Sequence, residues 1–189
     1  MSQSELVKKI AQVFKDAGIP YMLTGSIVSS LQGAPRATED VDLVAALQPL
    51  HVPILVKAFC PPSYYLSEDA IKDALQRKSM FNIIGMTDDF KADVWILKDE
   101  TYAQTCFERR KAANALGTSL MVSTPEDTIL SKLRWAVLCG GSDKQYGDAL
   151  RVYEVQYHKL DNAYLDNWAV KLNVSDMLKR IRDEAKPVG

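Results

Sequence analysis

The sequence predicts an α/β protein in which a small mixed, twisted sheet is flanked by helices and followed by a C-terminal helical bundle. Short apolar, β-branched runs alternate with helical patterns as far as residue 122, and every later segment has the pattern of a helix. The composition also shifts near residue 123. We therefore expect an α/β core over residues 1–122 and a helical region over residues 123–189.

Local signals define each element of the first part. Ser2 and Glu5 form a capping box that opens a helix, and Gly18 ends that helix as a left-handed cap. Turn residues bound the apolar runs that we interpret as strands. The expected order is a helix up to residue 17, strand 21–23, short helix 27–31, strand 41–46, helix 49–59, edge strand 64–66, helix 67–78, strands 80–85 and 92–97 joined by the turn Thr87-Asp88-Asp89, helix 101–110, and two extended pieces within 111–122.

The second part begins with a helix N-terminus at Thr124-Pro125-Glu126-Asp127. It has an N-cap threonine, a proline at the first helical position and acidic residues in the first turn. The run Cys139-Gly140-Gly141-Ser142 ends this helix. Three further helices are expected over residues 144–157, 161–172 and 174–185.

Composition limits the function classes. The 23 basic and 24 acidic residues nearly balance, so any contact with nucleic acid must be a local patch. No apolar run approaches the roughly 20 residues that span a bilayer, and we expect no membrane partner. The cysteines, Cys60, Cys106 and Cys139, are odd in number and widely spaced, which favours a reducing cytoplasm.

Asp40 and Asp42 carry the strongest chemical signal. They lie two residues apart on a predicted strand, where alternate residues point to the same face. Two neighbouring carboxylates repel each other unless a cation lies between them, and hard oxygen ligands suit Mg²⁺ or Mn²⁺. The pair predicts a divalent-cation site; a solvated strand end is the alternative.

Gly25 and Ser26 predict a phosphate site. They follow a short strand and precede a short helix. Glycine lets the backbone approach a ligand closely, and Ser26 offers a hydroxyl and an N–H group at a helix N-terminus. The two patterns are complementary, because one binds phosphates and the other holds the metal that bridges them.

A third carboxylate would complete a two-metal site, and it should come from a strand beside Asp40 and Asp42. Asp93 fits, because a charged residue inside the apolar run A-D-V-W-I-L is costly unless it serves a site. Asp88 and Asp89 compete for the role but have turn composition. A surface position on the hairpin is the alternative for Asp93.

These motifs together resemble the nucleotidyltransferase superfamily that includes DNA polymerase beta. Gly25-Ser26 is followed after thirteen residues by Asp40-x-Asp42, and Asp93 lies on a later strand. The runs R-A-T-E-D-V-D-L, P-E-D-T-I-L-S-K-L-R-W and Q-Y-G-D-A-L are similar to the branch of AbiE-type toxins and their bacterial relatives. The minimal antitoxin-type enzymes carry an arginine after Gly-Ser, and its absence from G-S-I-V-S-S argues against that subgroup.

The resemblance implies metal-dependent transfer of a nucleoside monophosphate from an NTP to a hydroxyl, with release of pyrophosphate. Asp40 and Asp42 would hold both metals, and Asp93 would hold the metal at the acceptor hydroxyl and is a candidate to take its proton. Gly25 and Ser26 would grip the β- and γ-phosphates. Further nucleotide-binding candidates are Arg36, Thr38, Lys132 and Asp148.

The sequence is compatible with more than one acceptor and more than one biological setting. The resemblance favours the 3′ end of tRNA or a protein side chain, in a toxin–antitoxin or defence context with an antitoxin protein as partner. An inactive nucleotide-binding or interaction module and an antibiotic-type small-molecule nucleotidyltransferase are the alternatives. Three of these residues also have purely structural interpretations. Lys132 is then a snorkelling lysine, Arg36 pairs with Glu39, and Asp148 bridges helices.

Overall fold

A computed structural model of the protein describes residues 2–38, 40–86, 90–186 and 188. In these ranges seven strands form one mixed sheet, which confirms the α/β class. The strands are β1 (Tyr21–Thr24), β2 (Asp40–Ala45), β3 (Tyr64–Tyr65), β4 (Met80–Gly85), β5 (Lys91–Ile96), β6 (Lys111–Ala115) and β7 (Thr118–Val122). The α-helices are α1 (Gln3–Asp16), α2 (Gly25–Gln32), α3 (Val52–Ala58), α4 (Glu68–Arg77), α5 (Thr101–Arg109), α6 (Pro125–Leu138), α7 (Asp143–Gln156), α8 (Asn162–Lys171) and α9 (Ser175–Glu184).

The sheet order is β3-β4-β5-β2-β1-β7-β6. Two neighbouring pairs are parallel, β2 with β5 and β1 with β7, and the other pairs are antiparallel. The predicted hairpin of β4 and β5 and the predicted edge strand at residues 64–66 are both present. The turn at Thr87-Asp88-Asp89 lies outside the described residues.

The helix boundaries follow the local signals. The capping box of Ser2 and Glu5 is formed at α1, and the Thr124 side chain accepts a hydrogen bond from the backbone N–H of Asp127 at α6. The helix predicted over residues 49–59 differs, because it begins as a 3-10 turn at Pro49–His51 before α3. Pro53 explains the change, since it has no backbone N–H to continue an α-helical ladder across the junction.

Strands β2 and β5 separate apolar from polar side chains. Val41 and Leu43 on β2 and Ala92 and Val94 on β5 are fully buried. The residues between them are only partly buried or exposed, and their side chains point to the opposite face. Core packing therefore holds these two strands in one register and leaves their other face to polar groups.

Contacts between residues divide the chain into two compact units. One comprises Met1–Thr24 with Thr38–Val122 and holds the sheet, and the other comprises Gly25–Ala37 with Ser123–Gly189. The second unit includes Gly25–Ala37 because α2 packs against α6 and α7. In the described ranges, none of the helices is both long and apolar enough to cross a membrane.

Gly33 explains how the segment after α2 fits against α7. A Cβ atom at Gly33 would lie 2.9 Å from the backbone nitrogen of Val152 and 3.0 Å from the carbonyl oxygen of Ser29. Both neighbours are backbone atoms, which have little freedom to move aside. A side chain at this position would therefore push the segment away from α7.

Candidate functional site

The carboxylate row, defined here as Asp40, Asp42 and Asp93, lies on the polar face of β2 and β5. Asp42 and Asp93 are partners in the register of the two parallel strands, and Asp40 lies two residues before Asp42 on the same face. Polar residues extend the row on both sides, since Asn82 on β4 pairs with Asp93 and Thr24 on β1 pairs with Asp42. The sheet thus brings Asp93 beside two carboxylates that lie about fifty residues earlier in the sequence.

Lys91 and Asn82 contact the carboxylate row. The Lys91 ammonium nitrogen lies 3.6 Å from Oδ1 of Asp40 and 3.4 Å from Oδ1 of Asp93. The Asn82 amide donates a 2.6 Å hydrogen bond to Oδ1 of Asp93. The carboxylates of Asp93 and, less strongly, Asp40 raise the pKa of Lys91. Sequence reasoning missed both residues, although the polar positions that alternate with core residues on β4 and β5 are a usable signal.

The donor chemistry of the carboxylate row fits a divalent cation. Three carboxylates on one face are the hard oxygen ligands that Mg²⁺ and Mn²⁺ prefer. Among the described residues, however, no group of three or more His, Cys, Asp or Glu side chains is arranged to hold a metal ion. The Lys91 ammonium between Asp40 and Asp93 is consistent with this arrangement, because it neutralises charge on both.

The Asp148 cluster, defined as Ser26, Arg36, Lys132 and Asp148, lies in the helical unit. Asp148 accepts hydrogen bonds from Arg36 Nε (2.8 Å to Oδ1), Arg36 Nη2 (2.7 Å to Oδ2) and Lys132 Nζ (2.8 Å to Oδ2). Arg36 Nη2 and Lys132 Nζ also donate to the hydroxyl of Ser26, over 2.9 and 3.3 Å. Four predicted nucleotide-binding residues therefore form one hydrogen-bonded network.

Ion pairs of the buried Asp148 carboxylate with Arg36 and Lys132 hold the Asp148 cluster together. Burial, the largest single influence, raises the pKa of Asp148, but the hydrogen bonds and charges of Arg36 and Lys132 outweigh it, and the pKa lies below its usual value. The hydrogen bond with Asp148 raises the pKa of Arg36. Lys132 is not a snorkelling lysine, because a snorkelling lysine keeps its ammonium group in water. Lys132 is only 5% exposed, and its ammonium group donates a hydrogen bond to Asp148. Asp148 does bridge helices, since it connects α7 to Lys132 on α6.

Gly25 and Ser26 begin α2, as the sequence predicts. Gly25 has a φ angle of +69°, a conformation that favours glycine at this turn. The Ser26 hydroxyl accepts from two cationic side chains. A hydroxyl has two acceptor positions and one donor, and among the contacts of the described residues the donor is left for a ligand. An anion is the ligand that such a donor, beside two cations, is suited to bind.

Thr38 belongs to the sheet unit and lies two residues before Asp40. Its carbonyl oxygen accepts a 2.8 Å hydrogen bond from the Gln3 side chain. The suggested partner of Arg36, Glu39, lies outside the described residues, as do Asp88 and Asp89. In the structure Arg36 pairs with Asp148 instead.

A cavity of about 360 Å³ adjoins the Asp148 cluster within the helical unit. It lies between the segment after α2 and the first half of α7, and both Arg36 and Asp148 line it. Gly147 forms part of its wall, and a Cβ atom there would meet nothing within 4 Å. The α7 wall of the cavity therefore combines a stretch without a side chain at Gly147 with charged side chains, and Arg36 lines the cavity from the segment after α2.

No family model and no curated protein matches the chain. Solved structures do match it. The chain is similar to an antigenic nucleotidyltransferase-like protein from Paracoccidioides brasiliensis, with 17% identity, 98% of this chain and 94% of that chain covered, and a TM-score of 0.56.

Two further solved structures are similar to this chain. ANT(2'')-Ia in complex with adenylyl-2''-tobramycin has 14% identity, with 95% of this chain and 99% of that chain covered and a TM-score of 0.54. The lincosamide antibiotic adenylyltransferase LnuA, bound to lincomycin, has 11% identity, with 80% of this chain and 96% of that chain covered and a TM-score of 0.50. Identities this low show a shared fold.

Proposed function

The chain has the nucleotidyltransferase fold, as the resemblance predicted, and on that premise we propose that it transfers a nucleoside monophosphate from an NTP to a hydroxyl group. The observation that carries the proposal is the carboxylate row. The parallel register of β2 and β5 sets Asp42 beside Asp93, with Asp40 on the same face. Neighbouring carboxylates repel each other, so the row is less costly to the fold when a cation binds it.

In the proposed reaction Asp40, Asp42 and Asp93 would hold Mg²⁺ or Mn²⁺, which would supply neutralisation of the negative charge that develops during transfer. Asn82 fixes one oxygen of Asp93 and so limits the directions in which this carboxylate can turn. Asp93 is our candidate to accept the proton of the acceptor hydroxyl.

The Asp148 cluster would bind the triphosphate. The Ser26 hydroxyl would donate a hydrogen bond to a phosphate oxygen, and the backbone N–H groups at the start of α2 would add further donors. Arg36 and Lys132 would neutralise part of the negative charge of the triphosphate. Asp148 acts as a positioning residue, because it holds both cations through three hydrogen bonds. Thr38 stays a nucleotide-binding candidate.

Three versions of this function differ in the acceptor, which is tRNA, a protein side chain or a small molecule. The AbiE-type resemblance favours tRNA or a protein side chain in a toxin–antitoxin or defence context, with a neighbouring antitoxin as partner. The similarity to two antibiotic adenylyltransferases favours a small molecule with a free hydroxyl. We infer that the cavity beside Gly147 takes part in acceptor choice, because its charged wall is shared with the Asp148 cluster. The cytoplasmic location is a prediction that depends on the three cysteines.

Label transfer tests the proposal. Each of the four α-³²P-labelled NTPs is incubated with Mn²⁺, the protein, and RNA, protein or small-molecule fractions of a bacterial lysate, and label and pyrophosphate are followed. We expect label in one fraction, which identifies the acceptor class. Asp42→Asn should abolish the transfer, and Asp99→Asn, which changes an exposed aspartate of the same unit, should leave it intact.

Two results would argue against this function. Equal transfer by Asp42→Asn and the unchanged protein would mean that the carboxylate row is not the active site. NTP binding without label transfer or pyrophosphate release from any fraction would favour the alternative, an inactive binding module on the same fold. Growth arrest on expression in a bacterial host, lost in Asp42→Asn, would support the toxin context.

A further inference from the structure

Lys91 has an unusual position for a surface lysine. It is the first residue of β5 and the register partner of Asp40, and it lies on the same face as Asp93 two residues later. Its ammonium group is 3.6 Å from a carboxylate oxygen of Asp40 and 3.4 Å from one of Asp93. A single positive charge therefore bridges two members of the carboxylate row that belong to different strands.

We propose that Lys91 is an intramolecular competitor for the divalent-cation site. This inference depends on the proposed function, since it takes the carboxylate row to be a metal site. In the metal-free protein the ammonium group neutralises Asp40 and Asp93, and it leaves both carboxylates when the metal binds. Lys91 thus sets how much metal is needed to load the site.

The exposure of the ion pairs supports a contact that can be released. The Lys91 side chain is 45% exposed and that of Asp40 is 59% exposed. Solvated pairs of this kind form and break readily, because water competes with both partners. Asn82 behaves differently, since its amide is neutral and holds the mostly buried Asp93 with a short hydrogen bond. Asn82 keeps its bond while the ammonium group leaves.

The alternative role for Lys91 is to preorganise the row. In that case its ammonium group would draw Asp40 and Asp93 together for the incoming metal, and its loss would weaken metal binding. Competition predicts the reverse. Removing the ammonium group removes a rival cation and also leaves a larger negative charge on the row, and both effects strengthen binding of a divalent cation. The sign of the change therefore decides between the two roles.

Mn²⁺ affinity, measured by electron paramagnetic resonance at constant pH without nucleotide, provides the test. We expect Lys91→Met to bind Mn²⁺ about three- to tenfold more tightly than the unchanged protein, as the loss of two solvated ion pairs suggests. Lys91→Arg keeps a cation and should bind with nearly unchanged affinity. Lys78→Met is the matched control, because it removes another lysine–aspartate pair from the same unit, and its affinity should not change.

Thermal melting gives a second readout that is independent of activity. Without metal, Lys91→Met should melt at a lower temperature, because Asp40 and Asp93 have lost their shared cation. Saturating Mn²⁺ should then raise its melting temperature more than that of the unchanged protein. Asn82→Ala should weaken Mn²⁺ binding, which would separate the holding role of Asn82 from the competing role of Lys91.

Two outcomes would overturn the inference. Mn²⁺ binding by folded Lys91→Met that is equal to, or weaker than, that of the unchanged protein would exclude competition. Absence of Mn²⁺ binding in both proteins would overturn the inference together with the metal site. By contrast, tighter binding in Lys91→Met without nucleotidyl transfer in any assay would leave this inference standing and contradict the proposed function alone.

Discussion

The carboxylate row and the Asp148 cluster are both polar sites, but they combine charged side chains differently. Carboxylates predominate in the row, and cations predominate in the cluster. In the row, the ammonium group of Lys91 lies between two of the three carboxylates, Asp40 and Asp93, and Asp40 is largely exposed. In the cluster, two cations surround one carboxylate, and the Lys132 and Asp148 side chains are 6% and 9% exposed. Around Lys91 one cation therefore lies between two carboxylates at the surface, and in the cluster one carboxylate lies between two cations, with Lys132 and Asp148 both buried.

This difference indicates what each region is built to do. An excess of like charge costs stability unless a ligand relieves it, so the row suits a cation and the cluster suits an anion such as a triphosphate. The cluster also stabilises the helical unit, because its ion pairs join α7 to α6 and to the segment after α2. Changes in the row should therefore lower activity with little loss of stability, and changes in the cluster should lower both activity and stability.

The largest effect is expected at Asp93. Asp93→Asn removes one charge from the row and keeps the shape of the side chain. Nucleotidyl transfer should fall on the order of 10³-fold, since the loss of a metal ligand removes several kcal/mol of transition-state stabilisation. The free energy of unfolding, measured with urea, should change by less than about 1 kcal/mol. A variant that loses stability as strongly as it loses activity would remove the contrast between the regions.

At Asp148 the expected effect is on stability. Asp148→Asn leaves the buried Lys132 ammonium without a charged partner, and the free energy of unfolding should fall by about 3 kcal/mol. Urea denaturation measures the change. Asp166→Asn breaks an exposed pair with Arg182 in the same unit and should cost less than about 1 kcal/mol. Similar losses in the two variants would mean that the Asp148 cluster is no stronger than a surface ion pair.

The pH dependence of that loss should follow Asp148. Because the folded state lowers the pKa of Asp148, its contribution is fully present above the unfolded pKa, about 4, and is lost as the pH falls through the folded value. The difference in unfolding free energy between the unchanged protein and Asp148→Asn should thus be constant near neutral pH and shrink below about pH 4. A difference that grew on acidification would contradict the lowered pKa.

A smaller effect is expected at Ser26. Ser26→Ala removes the hydroxyl that we assign to a phosphate oxygen, and the KM for NTP should rise about tenfold, as for one hydrogen bond to a charged group. Ser30→Ala is a suitable control, because its hydroxyl donates only to the carbonyl oxygen of Arg36 among the described contacts. An unchanged KM in Ser26→Ala would limit Ser26 to a structural role in the cluster.

The sequence allowed most of the fold to be predicted because its signals are local. The capping box at Ser2 and the N-cap at Thr124 both form where their residue types require. The β2–β5 pairing was also accessible, since the chemistry of a third carboxylate required a strand beside Asp40 and Asp42. Asp93 is on that strand.

The contacts that were missed are long-range. Arg36 and Asp148 are 112 residues apart, and no local pattern indicates that they form a bidentate pair. The assignment of Gly25–Ala37 to the helical unit likewise depends on packing between distant segments. Lys91 and Asn82 were missed for another reason, because a polar residue on a half-buried strand is ordinary until its cross-strand partners are known.

The central claim is that the carboxylate row binds a divalent cation. Titration of the protein with Mn²⁺, followed by electron paramagnetic resonance, tests it most directly, with Asp42→Asn compared against Asp73→Asn, an exposed aspartate of α4. We expect saturable binding that weakens at least about tenfold in Asp42→Asn, because one charged ligand is lost, and that is unchanged in Asp73→Asn. Equal Mn²⁺ affinity in the two variants and the unchanged protein would contradict it.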